Sequence, residues 1–502
     1  MQTGRAGASR NGSAPESHDL VIVGGRVIDP ETGLDGIRNI GITNGSIVSV
    51  THDDLQGAVT IDAAGLVVAP GWIDLHSHAQ SVAGGRLQAR DGVTTALDLE
   101  GGFLGVAAHY ERAATEGRAI NYGFSTSWQA ARMVDVGGLA TADLVDSMAY
   151  FGDPAWKVSA TKRQITAMVA RLGQDIDDGA IGLGLLMGYA PRVEPSEYLT
   201  MAQLAADTDT GTFTHARDLV EDVPDTVIDG AEEIVNAAQE TGARSHYCHV
   251  NSTSAWHVDR VHDLVQRAQT EITTEAYPYG AASTSISADF LSPDRLHERG
   301  LTPQSIVYTP TGQRVADNAM LAELQRKDPG AVAIVHFLNE ADPVEQAILD
   351  RALLFPGTVV GSDAMPLIWP QERYDPYAWP PADVTHHPRG AGSFSRFLRR
   401  YMRELGAISL SEAVSRCALG PAKVLESFVP AMRRKGRVQP GCDADLVVFN
   451  PETVTDRATY ATGTLPSTGY AYVLVGGQVL VDHDQLRLDV LPGRPVKSHT
   501  DQ

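Results

Sequence analysis

The sequence predicts an α/β protein, a (β/α)8 barrel of TIM type with a small β-sandwich domain built from both chain ends. Three observations carry this expectation. Eight short apolar runs alternate with helix-like segments through the middle of the chain. His, Glu and Asp fall repeatedly at the ends of those runs, where barrels carry their chemistry. The two terminal segments share one texture, β-branched runs broken by Gly, Asn and Pro.

The chain opens on residues 1–18, which hold two arginines but no following apolar stretch of signal-peptide type, and these read as a flexible tail. Residues 19–69, from "LVIVGGRVIDPETG" through "GITNGSIVSV", form the first part of the β-sandwich. Residues 70–428 form the barrel, with strands expected at "WIDLHSH", "TTALDLEGG", "NYGFSTSW", "GAIGLGLLM", "GTFTHARD", "RSHYCHVN", "ITTEAYPY" and "TVVGSDA". Residues 429–495 return to the β-sandwich, where "VGGQVLV" loosely echoes "VGGRVID" near the start. Residues 496–502 are a C-terminal tail.

Composition narrows the function. The 502 residues, 43% of them hydrophobic, can bury the core of one large and one smaller domain. With 62 acidic against 40 basic residues the net charge is −22, which repels nucleic acid and anionic membrane surfaces, so neither is an expected partner. Cys248, Cys417 and Cys442 are widely spaced and odd in number, which supports neither a disulfide framework nor a Cys-based zinc motif and fits a cytoplasmic location. No apolar stretch has transmembrane length. A homo-oligomer is compatible with this composition.

"GWIDLHSHAQ" carries the strongest local signal. His76 and His78 are two residues apart, so in an extended chain both rings point one way and can converge on one ion. His215 closes "GTFTHARD", His249 closes "RSHYCHVN" and Asp363 closes "TVVGSDA", so four imidazoles and a carboxylate lie at the ends of four strands. Such a set suits Zn2+ or another divalent ion, one or two in number, which acidifies a bound water. Asp363 is the candidate catalytic general base, able to take the water's proton and pass it to a leaving nitrogen. His246, three residues before His249, reads as structural, because strand alternation puts the two on opposite faces.

This ordered set resembles the amidohydrolase superfamily, with His-x-His after strand one, single His ligands after strands five and six, and an Asp after strand eight. Within it the chain resembles the D-aminoacylase and N-acyl-D-glutamate deacylase branch through "DGVTTALDLEGG", "GAIGLGLLMGYAPRVEPSEYL", "THARD", "TEAYPYGAAST" and "HHPRGAGSFSRFL". The resemblance implies a hydrolase acting on carbon–nitrogen bonds other than peptide bonds, which cleaves a linear amide of N-acyl-D-amino acid type by a metal-bound hydroxide. It also implies metal ligands at His76, His78, His215, His249 and Asp363. "GAIGLGLLMGY" has no lysine to bridge two metals, and where the branch places a Cys after strand two this chain has Glu100, the candidate bridging ligand. The branch's His-x-Lys, which meets the substrate carboxylate, is replaced by "HVNST", with Asn251 at the lysine position. Asn251, Tyr277 and Tyr279 of "YPY", and Arg389 of "HHPRGAG" are the candidate substrate-binding residues. Two other readings stay open: a hydrolase of cyclic amides or of a C-terminal amide or amidine in a modified peptide, and a metal-binding barrel without catalysis.

Overall fold

The computed structural model describes residues 17–141, 143–369, 375, 377–381 and 384–499. Residues 1–16 of the predicted N-terminal tail and 500–502 of the C-terminal tail lie outside the described residues.

Eight parallel strands line up in chain order: β1 (Trp72–Asp74), β2 (Val93–Phe103), β3 (Asn121–Ser127), β4 (Leu183–Leu186), β5 (Gly211–His215), β6 (Arg244–Tyr247), β7 (Ile272–Ala276) and β8 (Val359–Val360). Seven of them fall within the runs expected from sequence, and β2 extends one residue beyond "TTALDLEGG" at each end. Beyond the ends of β1 and β8 the ring is drawn shut by a parallel bridge between Ser77 and Ala364, with the His78 amide donating to the Ala364 carbonyl at 2.8 Å. Every residue of β2 and β3 is buried, as expected for parallel strands covered on both faces. Helices cover the outside, among them Val82–Ala89 after β1, Pro195–Asp207 after β4 and Gly230–Thr241 after β5. Ser81 and Asp229 cap the first and third of these through their side chains.

The terminal segments meet in one nine-stranded sheet. Its joint is Val67–Pro70, the last strand before the barrel, which pairs antiparallel with Leu446–Phe449 from the far end of the chain. Alternate residues from both halves share a core, including Leu20, Ile22, Ile40, Val68, Leu446 and Leu474. Asp445 fixes this sheet to the barrel, accepting from the buried Lys435 ammonium at 2.6 Å and from the Asn121 amide of β3 at 2.9 Å. The first strand of the sheet already begins at His18, inside the span expected to be tail. At the other end Val496, also expected in a tail, is buried, and its amide donates to the Tyr122 carbonyl of β3 at 2.7 Å.

The simple strand–helix alternation is interrupted between β7 and β8. A four-stranded antiparallel sheet is inserted there, formed by Ala281–Ser285, Val332–His336, Ile306–Tyr308 and Gln313–Arg314 in spatial order. This insertion walls one side of the cavity at the mouth of the barrel.

Candidate metal centre and active site

Five strand ends of the barrel supply the polar groups. His76 and His78 follow β1 in extended chain, and their Nε2 atoms stand 3.2 Å apart. Glu100 lies on β2, and His215 is the last residue of β5. His249 follows β6 at φ +33° and Asp363 follows β8 at φ +52°. Both are left-handed conformations that cost a non-glycine residue strain, and hydrogen bonds hold each in place. The His249 amide donates to Glu275 Oε1 at 3.3 Å, and the Asp363 amide donates to the His76 carbonyl at 2.8 Å.

Glu100 sits at the centre of the cluster. One oxygen, Oε2, lies 3.1 Å from His76 Nε2 and 3.5 Å from His78 Nε2. The other, Oε1, lies 2.7 Å from His249 Nε2 and 3.0 Å from His215 Nδ1. Asp363 Oδ1 completes the first group at 3.5 Å from His76 Nε2 and 3.7 Å from His78 Nε2. A tetrahedral zinc site with bonds of ~2.05 Å places its ligand atoms about 3.3 Å apart, close to these separations. Two donor sets thus share one carboxylate: His76, His78 and Asp363 on one side, His215 and His249 on the other.

The donor chemistry fits a cation. His76 Nδ1 donates to Glu275 Oε1, and His78 Nδ1 donates to Asp98 Oδ1 at 2.9 Å. With those protons committed, each Nε2 turns a lone pair toward the lone pairs of Glu100 and Asp363, an arrangement that repels unless positive charge lies between them. Arg389 supplies one positive charge to Asp363, and between the rings and Glu100 the charge can otherwise come from protons on the rings. Burial opposes it, but Glu100, Glu275 and Asp363 more than offset burial at His76 and raise its pKa well above the ordinary value. His78 is likewise pushed up to about 9 by Asp98 against the effect of burial. Burial alone would raise Glu100, yet His76, His249 and His215 hold it well below the usual carboxylate range. A divalent ion would replace those protons with a fixed charge.

The sequence did not single out Asp98 or Glu275, the carboxylates that fix the two rings. Asp98 stands two residues before Glu100 on the same strand and so shares its face, and Glu275 stands two residues before Tyr277, which lies just past the end of β7. That spacing was the available signal. His246 also bears on this shell, with Nε2 3.2 Å from Glu275 Oε2 and Nδ1 2.7 Å from Thr273 Oγ1. Strand alternation does not separate it from His249, because β6 ends at Tyr247 and the left-handed turn brings His249 inward as well. Glu275→Gln should weaken metal binding about 10–100-fold, since the ring of His76 loses its anionic anchor. Metal titration of the apoprotein checks this, and unchanged affinity would free Glu275 of that role.

None of the four candidate substrate-binding residues lines the cavity, and two of them, Arg389 and Tyr277, stand directly behind Asp363. Arg389, at the start of helix Arg389–Phe397, sets Nη2 2.8 Å from Asp363 Oδ1 and its guanidinium 4.8 Å from the Tyr277 ring centroid. Arg389 Nε and Nη1 and the Tyr277 hydroxyl are buried without a hydrogen-bond partner among the described residues. Asn251 is turned the other way: its Oδ1 accepts from the Tyr277 amide at 3.2 Å and its Nδ2 donates to the Tyr279 carbonyl at 3.4 Å. It braces the "YPY" turn and does not line the cavity. Tyr279 also lies off the cavity, packed edge-on to His387 at 5.4 Å and beneath the Arg396 guanidinium at 4.4 Å.

The cavity itself opens over His78, Glu100, His215, His249 and Asp363 and, counting the space that runs out to solvent, measures about 1090 Å³. Phe151, Leu186 and Tyr189 form one side, and Ser283, Thr284 and Val335 of the inserted sheet, with Phe337 just beyond it, form another. Among the described residues no helix is long and apolar enough to cross a membrane.

Comparison with known proteins agrees with this fold. A family model described as the amidohydrolase family matches residues 201–481, more than half of the chain. An N-acyl-D-glutamate deacylase of Alcaligenes xylosoxydans xylosoxydans is 28% identical, over 92% of this chain and 93% of that enzyme. A D-aminoacylase of the same organism is 26% identical, over 93% of this chain and 95% of that enzyme. Among solved structures, N-acyl-D-glutamate deacylase from Bordetella bronchiseptica, complexed with zinc and a phosphonate mimic of the reaction's tetrahedral intermediate, superposes with a TM-score of 0.74. It is 25% identical and covers 96% of this chain and 100% of its own. The barrel with its terminal β domain and the likeness to the D-aminoacylase branch are as the sequence predicted. The chain belongs to the amidohydrolase family of hydrolases, enzymes that act on carbon–nitrogen bonds other than peptide bonds.

Proposed function

We propose that the chain is a metal-dependent deacylase that cleaves the linear amide of a small N-acyl-D-amino acid. The observation that carries this reading is the division of Glu100 between two donor sets, Oε2 toward His76 and His78 and Oε1 toward His215 and His249. Zn2+ is the ion that this mixture of imidazole and carboxylate suits. Held there, a divalent ion acidifies water toward neutrality and polarises the amide carbonyl.

The chain's own groups do the rest. Asp363 takes a proton from the attacking water as the new C–O bond forms, then delivers it to the amide nitrogen as the C–N bond breaks, so a carboxylic acid and an amine leave. Arg389 holds Asp363 in position at 2.8 Å. Its remaining N–H groups and the Tyr277 hydroxyl are unpaired donors beside the reacting centre, suited to the carboxylate of an N-acyl amino acid. Full-length likeness to enzymes named for N-acyl-D-amino acids supports the D configuration.

A panel of N-acetyl-D- and N-acetyl-L-amino acids and hydantoins, assayed together with metal analysis of the same preparation, tests the proposal. Turnover confined to D-configured linear amides, with zinc bound, is expected. Turnover of hydantoins alone, or none by metal-loaded protein, would overturn it.

A further inference from the structure

The cavity's second charged feature lies away from the metal ligands. Asp218, three residues past His215 in "THARD", and Arg299 both line the cavity. Their side chains form a direct ion pair, and Arg295 adds a second guanidinium to Asp218 at 3.2 Å. Asp218 is almost wholly buried, with 2% of its side chain exposed, whereas Arg299 is 21% exposed. Burial pushes the Asp218 carboxyl up, but Arg299 and Arg295 more than offset this and hold it below its ordinary value, so it is an anion at neutral pH.

We propose that Asp218 sets the side-chain selectivity of this site: by neutralising Arg299, it makes the cavity accept neutral, apolar N-acyl-D-amino acids and discriminate against acidic ones. The inference rests on the deacylase reading above. Away from the metal centre and from Arg389 behind Asp363, Arg299 is the one arginine or lysine lining the cavity among the described residues, and it is paired with Asp218. A second acid, Asp222, lines the same wall, so an incoming carboxylate meets two carboxylates there and arginines already engaged with Asp218. Much of the remaining wall is apolar, with the hydroxyls of Ser252, Thr253, Ser283, Thr284 and Ser285 interspersed. Phe151, Leu186, Phe290, Leu301, Val335 and Phe337 line it, and the Arg299 guanidinium lies flat over the Phe290 ring at 4.5 Å, where it is braced rather than free to reach a ligand. A hydrocarbon side chain gains from burial against the apolar part of this wall, while a carboxylate would be desolvated there without a free cationic partner.

The test compares kcat/KM of the zinc-loaded enzyme for N-acetyl-D-leucine and N-acetyl-D-glutamate. The wild type should favour the leucine substrate by about 100-fold or more, the scale set by an unpaired, like-charged group in a dry site. Asp218→Asn, which keeps the shape and removes the charge, should raise the glutamate-to-leucine ratio by at least about tenfold as Arg299 is released. Adding Arg299→Gln to that variant should return the ratio to the wild-type range. If Asp218→Asn does not fold, Asp218→Ser serves in its place, and the wild-type ratio stands as a test in either case. A wild-type preference for N-acetyl-D-glutamate would overturn the selectivity and leave the deacylase reading intact. An unchanged ratio in a folded Asp218 variant would overturn the role of Asp218. Failure of the metal-loaded wild type to hydrolyse either substrate would overturn both readings together.

Discussion

Asp363→Asn is expected to lower kcat by about 10²–10⁴-fold, the range for loss of a positioned general base. The change is small in shape. Asparagine keeps one carbonyl oxygen to face His76 and His78, and the backbone bond from residue 363 to the His76 carbonyl is unaffected by the side chain. What is lost is the ability to carry a proton from water to the leaving nitrogen. Metal content should therefore fall far less than turnover, while Arg389, which now pairs with Asp363 at 2.8 Å, is left facing a neutral amide. Single-turnover rates and metal analysis on one preparation check this. A near-normal kcat would assign proton transfer to another group.

Glu100→Ala should have the larger effect on the centre itself. Removing the carboxylate deletes a donor from both sets at once and strips the shared anion that would lie between two cations, whose mutual repulsion falls off only with distance and dielectric. Rate and metal stoichiometry should drop together. Glu100→Gln keeps the size and one oxygen but no charge, and should fall between the wild type and alanine. Glu100→Cys is informative for a different reason, because a thiolate can also ligate zinc. Partial recovery of metal in that variant, relative to alanine, is the expected result.

The sequence made some parts of this centre legible for physical reasons. His76 and His78 are adjacent on one face of extended chain, and such spacing survives any detail of packing. The barrel strands were legible because parallel strands buried on both faces read as short apolar runs. Asp98 and Glu275 were not, because a lone acid on a strand looks the same whether it meets solvent or a histidine ring. Asn251 stands at the position a resemblance marks for substrate, but position does not reveal direction, and its amide is taken up by the backbone of Tyr277 and Tyr279. The inserted sheet escaped because Ala281–Ser285 pairs with Val332–His336 across a long stretch of chain, and its first strand is made of small polar residues with no apolar period. The Asp218–Arg299 pair likewise joins two residues far apart in sequence, a relation that only the folded chain creates.

The account stands or falls on the shared carboxylate. Anomalous diffraction at the zinc edge, from crystals of the wild type and of Glu100→Ala grown with the same zinc supply, addresses it most directly. The account predicts wild-type peaks at the two positions flanked by Glu100, one against His76, His78 and Asp363 and the other against His215 and His249, with loss of at least one of them in the variant. Peaks undisturbed in Glu100→Ala, or zinc bound away from these residues in the wild type, would contradict it.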